Sequence, residues 1–212
     1  MRNIPVFTTE FGVASLILRE IPYTQTAYVR IQSSLSPCEL LDECAGFCRA
    51  AGAERVYAVG TDIPDTYPFY TQIVRMEVSR SSLPKTEAIA RPVLPENADH
   101  WRKLYNQTMK DVENTSYMDD LDVKQMLEDG DGYFVYLNDT PIGIGRGGED
   151  HILVVASLVR GGGRDTLLAL ADRLSGEQLK LEVATTNARA IRLYESLGFY
   201  KTEEFPAWYK IL

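Results

Sequence analysis

The chain has 212 residues, 45% of them apolar, which is enough to build a core in one large or two small domains. Its net charge is −8 at pH 7 and is uneven: residues 1–85 hold 8 basic against 9 acidic side chains, and residues 86–212 hold 14 against 21. That balance argues against nucleic acid, whose phosphates need a basic surface. It fits either a solvated acidic surface that aids solubility or a cationic partner such as an amine.

Met1–Glu10 contains Pro5, two threonines and an acid but no apolar stretch of a secretion signal, and no apolar run is long enough to cross a bilayer, so no membrane is expected. Phe11–Ile21 and Thr26–Ser33 are apolar and β-branched enough for two strands, separated by a break at Pro22-Tyr23. Ser36-Pro37-Cys38-Glu39 has the pattern of a capping box with proline at the first helical position, and it predicts a helix running to Gly52. Cys38, Cys44 and Cys48 share that helix, with neither a disulfide framework nor zinc-finger spacing, so no metal is expected. Cys44 and Cys48, four apart on one face, are expected to be packing residues. A reducing cytoplasm follows, in which the N-x-Ser/Thr matches at Asn106, Asn114 and Asn138 have no meaning. Arg55–Val59 predicts a strand, Asp62–Pro68 a loop and Phe69–Ser79 a further strand. Ser81–Lys85, with two serines and Pro84, is the expected linker and places a domain boundary after residue 85.

Beyond the linker, Ala88–Val93 predicts a strand and Pro95–Met109 a helix whose Trp101 and Tyr105 belong to a core face. Tyr117–Glu128 predicts a second helix, ended by Gly130 and Gly132. Tyr133–Leu137 and Pro141–Gly145 form a hairpin pattern about Asn138-Asp139-Thr140. His151–Val159 is a strand that delivers the chain to Arg160 and three glycines, followed by the helical pattern Leu167, Leu168, Leu170, Ala171, Leu174 and the alternating strand Leu179, Leu181, Val183. A glycine turn between strand and helix leaves backbone N–H groups open to a phosphate. Glycines also end strands without binding anything.

The spacing that follows is more specific. Arg160-x-x-Gly163, then Asn187-x-x-Ala190-x-x-x-Tyr194-Glu195-x-x-Gly198-Phe199, resembles the GCN5-related N-acetyltransferase (GNAT) family, whose acetyl-CoA motif is Gln/Arg-x-x-Gly-x-Gly/Ala and whose next helix carries Asn-x-x-Ala-x-x-x-Tyr. The resemblance covers about residues 86–212. It implies an α/β fold with a mixed, mostly antiparallel sheet flanked by helices, preceded by a smaller α/β half-domain over residues 1–85. The element order of that half echoes the second half of an acetyltransferase domain without its glycine loop, so we expect a degenerate half used for packing or for shaping the acceptor pocket.

The resemblance also implies acetyl-CoA as co-substrate, with its pyrophosphate against Arg160, Gly161, Gly162, Gly163, Arg164, Asp165 and Thr166, and its pantetheine arm along the strand of Val155 and Ser157. Asp165 stands where the family has a small residue; its carboxylate either caps its own helix or opposes a bound pyrophosphate. Ser157 stands where proline is usual, and Asn187 would cap its helix, bond the pantetheine, or do both. Tyr194 matches the family's general acid, although the stripe Ala190, Ile191, Tyr194, Leu197 also suits a core aromatic. His151, four residues before Val155, is the candidate base or an exposed residue at a strand start; alternation would place it on one face with Leu153 and Val155. The implied reaction is acetyl transfer to a primary amine by direct attack, since all three cysteines lie outside the resembling half. The competing class is a non-catalytic protein that binds an acyl-CoA or a partner through a decayed site. Asp111, Glu113, Asp119, Asp120 and Asp122 cluster where this family builds its acceptor pocket, which implies a cationic small-molecule amine. Homodimers are common in the family.

Overall fold

The computed structural model describes residues 4–60, 63–113 and 115–212. Met1–Asn3, Asp62 at the start of the expected loop, and the N-x-Ser/Thr match at Asn114 lie outside the described residues.

In chain order the elements begin with β1 (Val6–Thr9), β2 (Gly12–Ile17), a single turn α1 (Ile21–Thr24), β3 (Thr26–Ser34), α2 (Pro37–Ala50), β4 (Arg55–Val59) and β5 (Phe69–Thr71). The strand expected over Phe11–Ile21 is the second arm of a β1–β2 hairpin, and Pro22 lies in the first turn of α1. Helix α2 places Leu40, Leu41, Cys44 and Cys48 in one core with Leu16 and Val56, the i, i+4, i+8 stripe that the spacing predicted. Ser36 is its N-cap, but the hydroxyl donates to the Glu39 carboxylate and not to a backbone partner, so the expected capping box is not formed. Parallel strands β3 and β4 stay paired from Thr26↔Arg55 to Arg30↔Val59.

The chain continues through β6 (Ile73–Ser79), β7 (Ile89–Pro92), α3 (Ala98–Met109), α4 (Asp120–Asp129), β8 (Gly132–Leu137), β9 (Thr140–Gly148) and β10 (His151–Ser157). It closes with α5 (Gly163–Arg173), β11 (Gln178–Ala184), α6 (Ala188–Ser196), β12 (Tyr200–Glu204) and β13 (Trp208–Lys210). One sheet has the order β1-β2-β3-β4-β13-β5 and the other β12-β6-β11-β10-β9-β8-β7. Both are mixed and mostly antiparallel, with parallel pairs at β3–β4 and β10–β11.

The chain divides into two compact units, Met1–Ile73 with Phe205–Leu212, and Val74–Glu204. The boundary expected after residue 85 therefore falls inside the second unit. The continuous strand expected over Phe69–Ser79 is instead two strands in different sheets. Strand β6 takes its place between β11 and β12, and β13 fills the position between β4 and β5, so each sheet includes one strand from the other half of the sequence. Linker composition reports only local chain preference, whereas ladder partners far apart in sequence decide which sheet a strand joins.

Within the second unit, α5 lies very close to β9. Gly143 and Gly145 point alternate Cα positions at Thr166 and Leu170, one helical turn apart. A Cβ on Gly143 would stand 2.1 Å from Thr166 Oγ1, and one on Gly145 would stand 2.2 Å from Leu170 Cδ1. Trp101, Tyr105, Met126, Phe134 and Ala156 form a separate core between α3, α4 and their strands, as expected for Trp101 and Tyr105.

Candidate active site

Strands β10 and β11 run parallel but pair only at His151↔Lys180 and Ile152↔Leu181. The register of β10 with β9 shifts between Ile152 and Val154, which places a bulge at Leu153 where β10 and β11 part. Val155–Ser157 then pair with β9 alone. The closed β3–β4 pair shows what the same strand-helix-strand order looks like without such an opening.

A cavity of 590 Å³ fills the opening. Its walls come from Val155–Arg160 on β10 and its extension, Gly161, Gly163 and Arg164 at the start of α5, and Thr108, Met109 and Val112 at the end of α3. Asn187, Arg189 and Tyr194 of the α6 segment complete it. Gly161 has φ +87°, a left-handed conformation that glycine adopts without strain. The N–H groups of Gly163, Arg164 and Asp165 are the first of α5 and have no acceptor within the helix, so they present positive partial charge at the loop. Arg160, Arg164 and Arg189 add three guanidinium groups to the lining, whereas no Asp, Glu or His lines the cavity among the described residues. Such a surface suits an elongated anion. Arg189 did not emerge from the sequence; its signal was its place in the first turn after Asn187.

The expected loop residues separate in three dimensions. Asp165 Oδ1 accepts a hydrogen bond from Thr86 Oγ1 at 2.7 Å, and Asp165 does not line the cavity. Its carboxylate is thus engaged by the segment before β7. Thr166 is fully buried: its hydroxyl donates to Gly162 O at 2.7 Å and its N–H to the same carbonyl at 2.9 Å, which removes it from the anion-binding set. Gly162 spends its N–H on Val159 O at 3.1 Å, and a Cβ there would meet Val159 Cγ2 at 2.9 Å and Ile142 O at 3.0 Å. Glycine at 162 is a packing requirement. Ser157 donates its hydroxyl to Val159 O at 2.6 Å and lines the cavity beside Val155.

Asn187 Oδ1 accepts from Ala190 N at 3.1 Å, capping α6, and the residue also lines the cavity. Tyr194 lines the cavity, packs on Phe199 with ring centroids 5.8 Å apart, and has its phenol pushed up to about 12 by burial. It stays protonated throughout the neutral range, which suits a proton donor.

His151 is not brought to the cavity. Four residues separate it from Val155, about 13 Å along a strand, and Asp150 Oδ1 lies 2.6 Å from its Nδ1. The bulge also breaks the simple alternation: Ile152 and Val155 both pack in the core under α5, so His151 faces away from Val155's side. Three of the five clustered acids are engaged elsewhere. Asp119 and Asp122 exchange backbone and side-chain hydrogen bonds in a capping box at the start of α4, Asp120 pairs with Arg102, and none of these lines the cavity.

No family sequence model matches the chain, and no curated protein matches it significantly in sequence. Solved structures do. A GCN5-related N-acetyltransferase from Sphaerobacter thermophilus superposes with a TM-score of 0.58 at 14% identity, covering 93% of this chain and 75% of that one. A conserved protein of unknown function from Staphylococcus epidermidis gives 0.59 at 11% identity, with 98% and 93% covered. A GCN5-related N-acetyltransferase from Kribbella flavida gives 0.58 at 10% identity, with 96% and 58% covered. Together with the opened β10–β11 pair and the glycine loop before α5, these likenesses show that the chain has the fold of the GCN5-related N-acetyltransferases.

Proposed function

We propose that the chain transfers an acetyl group from acetyl-CoA to a primary amine by direct attack. The observation that carries this reading is the opening between β10 and β11, which ends at a helix start flanked by Arg160, Arg164 and Arg189. The first-turn N–H groups of α5 and these arginines would hold the pyrophosphate and phosphate groups. The edge of β10 that turns away from β9 would bond the amides of the pantetheine arm. Tyr194 would donate its proton to the departing thiolate as the carbon–nitrogen bond forms. The decayed-site alternative rested on Asp165; the acetyl-transfer reading is supported by that carboxylate's bond to Thr86 and its place outside the cavity lining.

Thermal unfolding with acetyl-CoA tests the reading. Ligand at about 100 times its Kd adds about 2.7 kcal/mol, which raises the melting temperature by about 5–10 °C in a protein of this size. A panel of primary amines, with release of the CoA thiol as readout, then identifies acceptors. No thermal shift at millimolar acetyl-CoA refutes the proposal.

A further inference from the structure

Asp165 stands in the first turn of α5 beside Gly163 and Arg164, which line the cavity, yet its own side chain is outside the lining. We propose, resting on the acetyl-CoA reading, that Thr86 is a positioning residue for the cofactor: its hydroxyl holds the Asp165 carboxylate away from the helix start and keeps the anion site open. The bond between them is directional. A carboxylate only accepts, so Thr86 Oγ1 gives its proton to Asp165 Oδ1 at 2.7 Å. The same oxygen accepts from Ala88 N at 3.2 Å, which fixes the hydroxyl from its other side.

Chain topology brings Thr86 to this place. Strand β6 lies between β11 and β12, whereas β7 is at the far edge of the same sheet beside β8, so residues 80–88 cross from one side to the other. They cross on the α5 face, where Leu83 packs against the core that holds Leu167, Leu168 and Ala171. The crossing segment is tied to both ends of the helix. Arg80 donates from Nη1 to Leu174 O at 3.0 Å and from its backbone N–H to Glu177 O at 2.9 Å at one end, and Thr86 meets Asp165 at the other. Leu168 and Asp172 share a helix face with Asp165 and line a second cavity together with Thr86, so this face turns to the crossing segment while Arg164 turns to the phosphate side.

Side chains on a helix lean toward its N-terminus. Released from Thr86, the Asp165 carboxylate would lie over the first turn, where it would bond the N–H groups that a phosphate needs or repel the phosphate directly. Arg160, Arg164 and Arg189 would then have a further anion to neutralise. Thr86 itself does not line the phosphate cavity and acts only through Asp165.

The test uses the full chain and calorimetric titration with acetyl-CoA. The proteins compared are the wild type, Thr86→Val, Thr86→Ser and the double variant Thr86→Val/Asp165→Ala, with thermal unfolding of each as a check on folding. Valine keeps the shape of threonine and removes the donor, whereas serine keeps the donor. Thr86→Val is expected to raise the Kd by about 10-fold or more, and Thr86→Ser to stay within about threefold of the wild type. The double variant is expected to bind at least about fivefold more tightly than Thr86→Val. Recovery on deleting a second group is a result that a merely loosened fold does not give. The assignment is overturned by a Thr86→Val protein that binds within about threefold of the wild type, or by a double variant that binds no better than Thr86→Val. A Thr86→Val protein that fails to fold also overturns it, since the bond would then hold the fold and not the carboxylate. The wild type reports separately on the underlying reading: if it does not bind acetyl-CoA, acetyl transfer itself is refuted and the role of Thr86 falls with it.

Discussion

Replacing Gly143 by alanine tests the contact that sets the start of α5. The added Cβ would stand 2.1 Å from Thr166 Oγ1, 2.6 Å from its Cγ2 and 2.9 Å from its Cβ. Thr166 has no room to turn aside, because it is fully buried and its hydroxyl is bound to Gly162 O. Bringing the nearest contact to 3.0 Å requires the first turn of α5 to lift by about 0.9 Å. Overpacking of this kind costs about 1–3 kcal/mol, or about 2–12 °C in melting temperature for a protein of this size. The same lift displaces the N–H groups of Gly163, Arg164 and Asp165 from hydrogen-bonding range of a phosphate, so the thermal shift produced by acetyl-CoA should shrink as well. Thermal unfolding of Gly143→Ala, Thr166→Ala and the double variant, with and without acetyl-CoA, measures both effects. Thr166→Ala alone should cost about 1 kcal/mol from the lost hydrogen bond. Because it removes the two closest atoms, the double variant should be more stable than the sum of the singles by about 1 kcal/mol or more. Additive losses, or a Gly143→Ala protein as stable as its parent, would refute this account of how α5 is seated.

Tyr194→Phe should retain the fold and the acetyl-CoA thermal shift while lowering kcat by about 10²-fold or more; unchanged turnover removes Tyr194 as the acid. Burial holds the Cys44 thiol at about 12 and Cys48 at about 11, while Cys38 is exposed. A thiol reagent at pH 8 should therefore modify one cysteine in the native protein and three in denaturant, and native reaction of all three would contradict the buried packing of α2. Because both folded values lie above the thiol's ordinary 9.0, the folded state holds these protons more tightly. Their contribution to stability is complete below about pH 9 and is lost as the pH rises through about 11 to 12. Replacing both by alanine should flatten the fall of unfolding free energy across that range, and equal slopes would exclude the effect.

Much of the site was legible because its signals are local. The glycine loop, the cap at Asn187 and the lining position of Tyr194 follow from residues close in sequence, where backbone conformation and helix termini are set by the immediate neighbours. The roles of Asp165, Thr166 and Gly162 were not legible, because they depend on Thr86, on a carbonyl that a buried hydroxyl reaches, and on the wall formed by Ile142. His151 was placed by a strict two-residue alternation, which a single bulge residue overturns.

The amino-acid sequence by itself determined that the second unit would carry a strand, a glycine turn and a helix able to meet an anion, since periodicity and turn chemistry act over a few residues. Only the tertiary structure decided that β6 and β13 each join the sheet of the other half, that β10 and β11 part after Leu181, and that Arg75 meets Glu182. Those outcomes depend on which hydrogen-bond ladders form between segments as far apart as residues 75 and 182. Partner choice at that range is a competition among whole strands, and no local pattern encodes it.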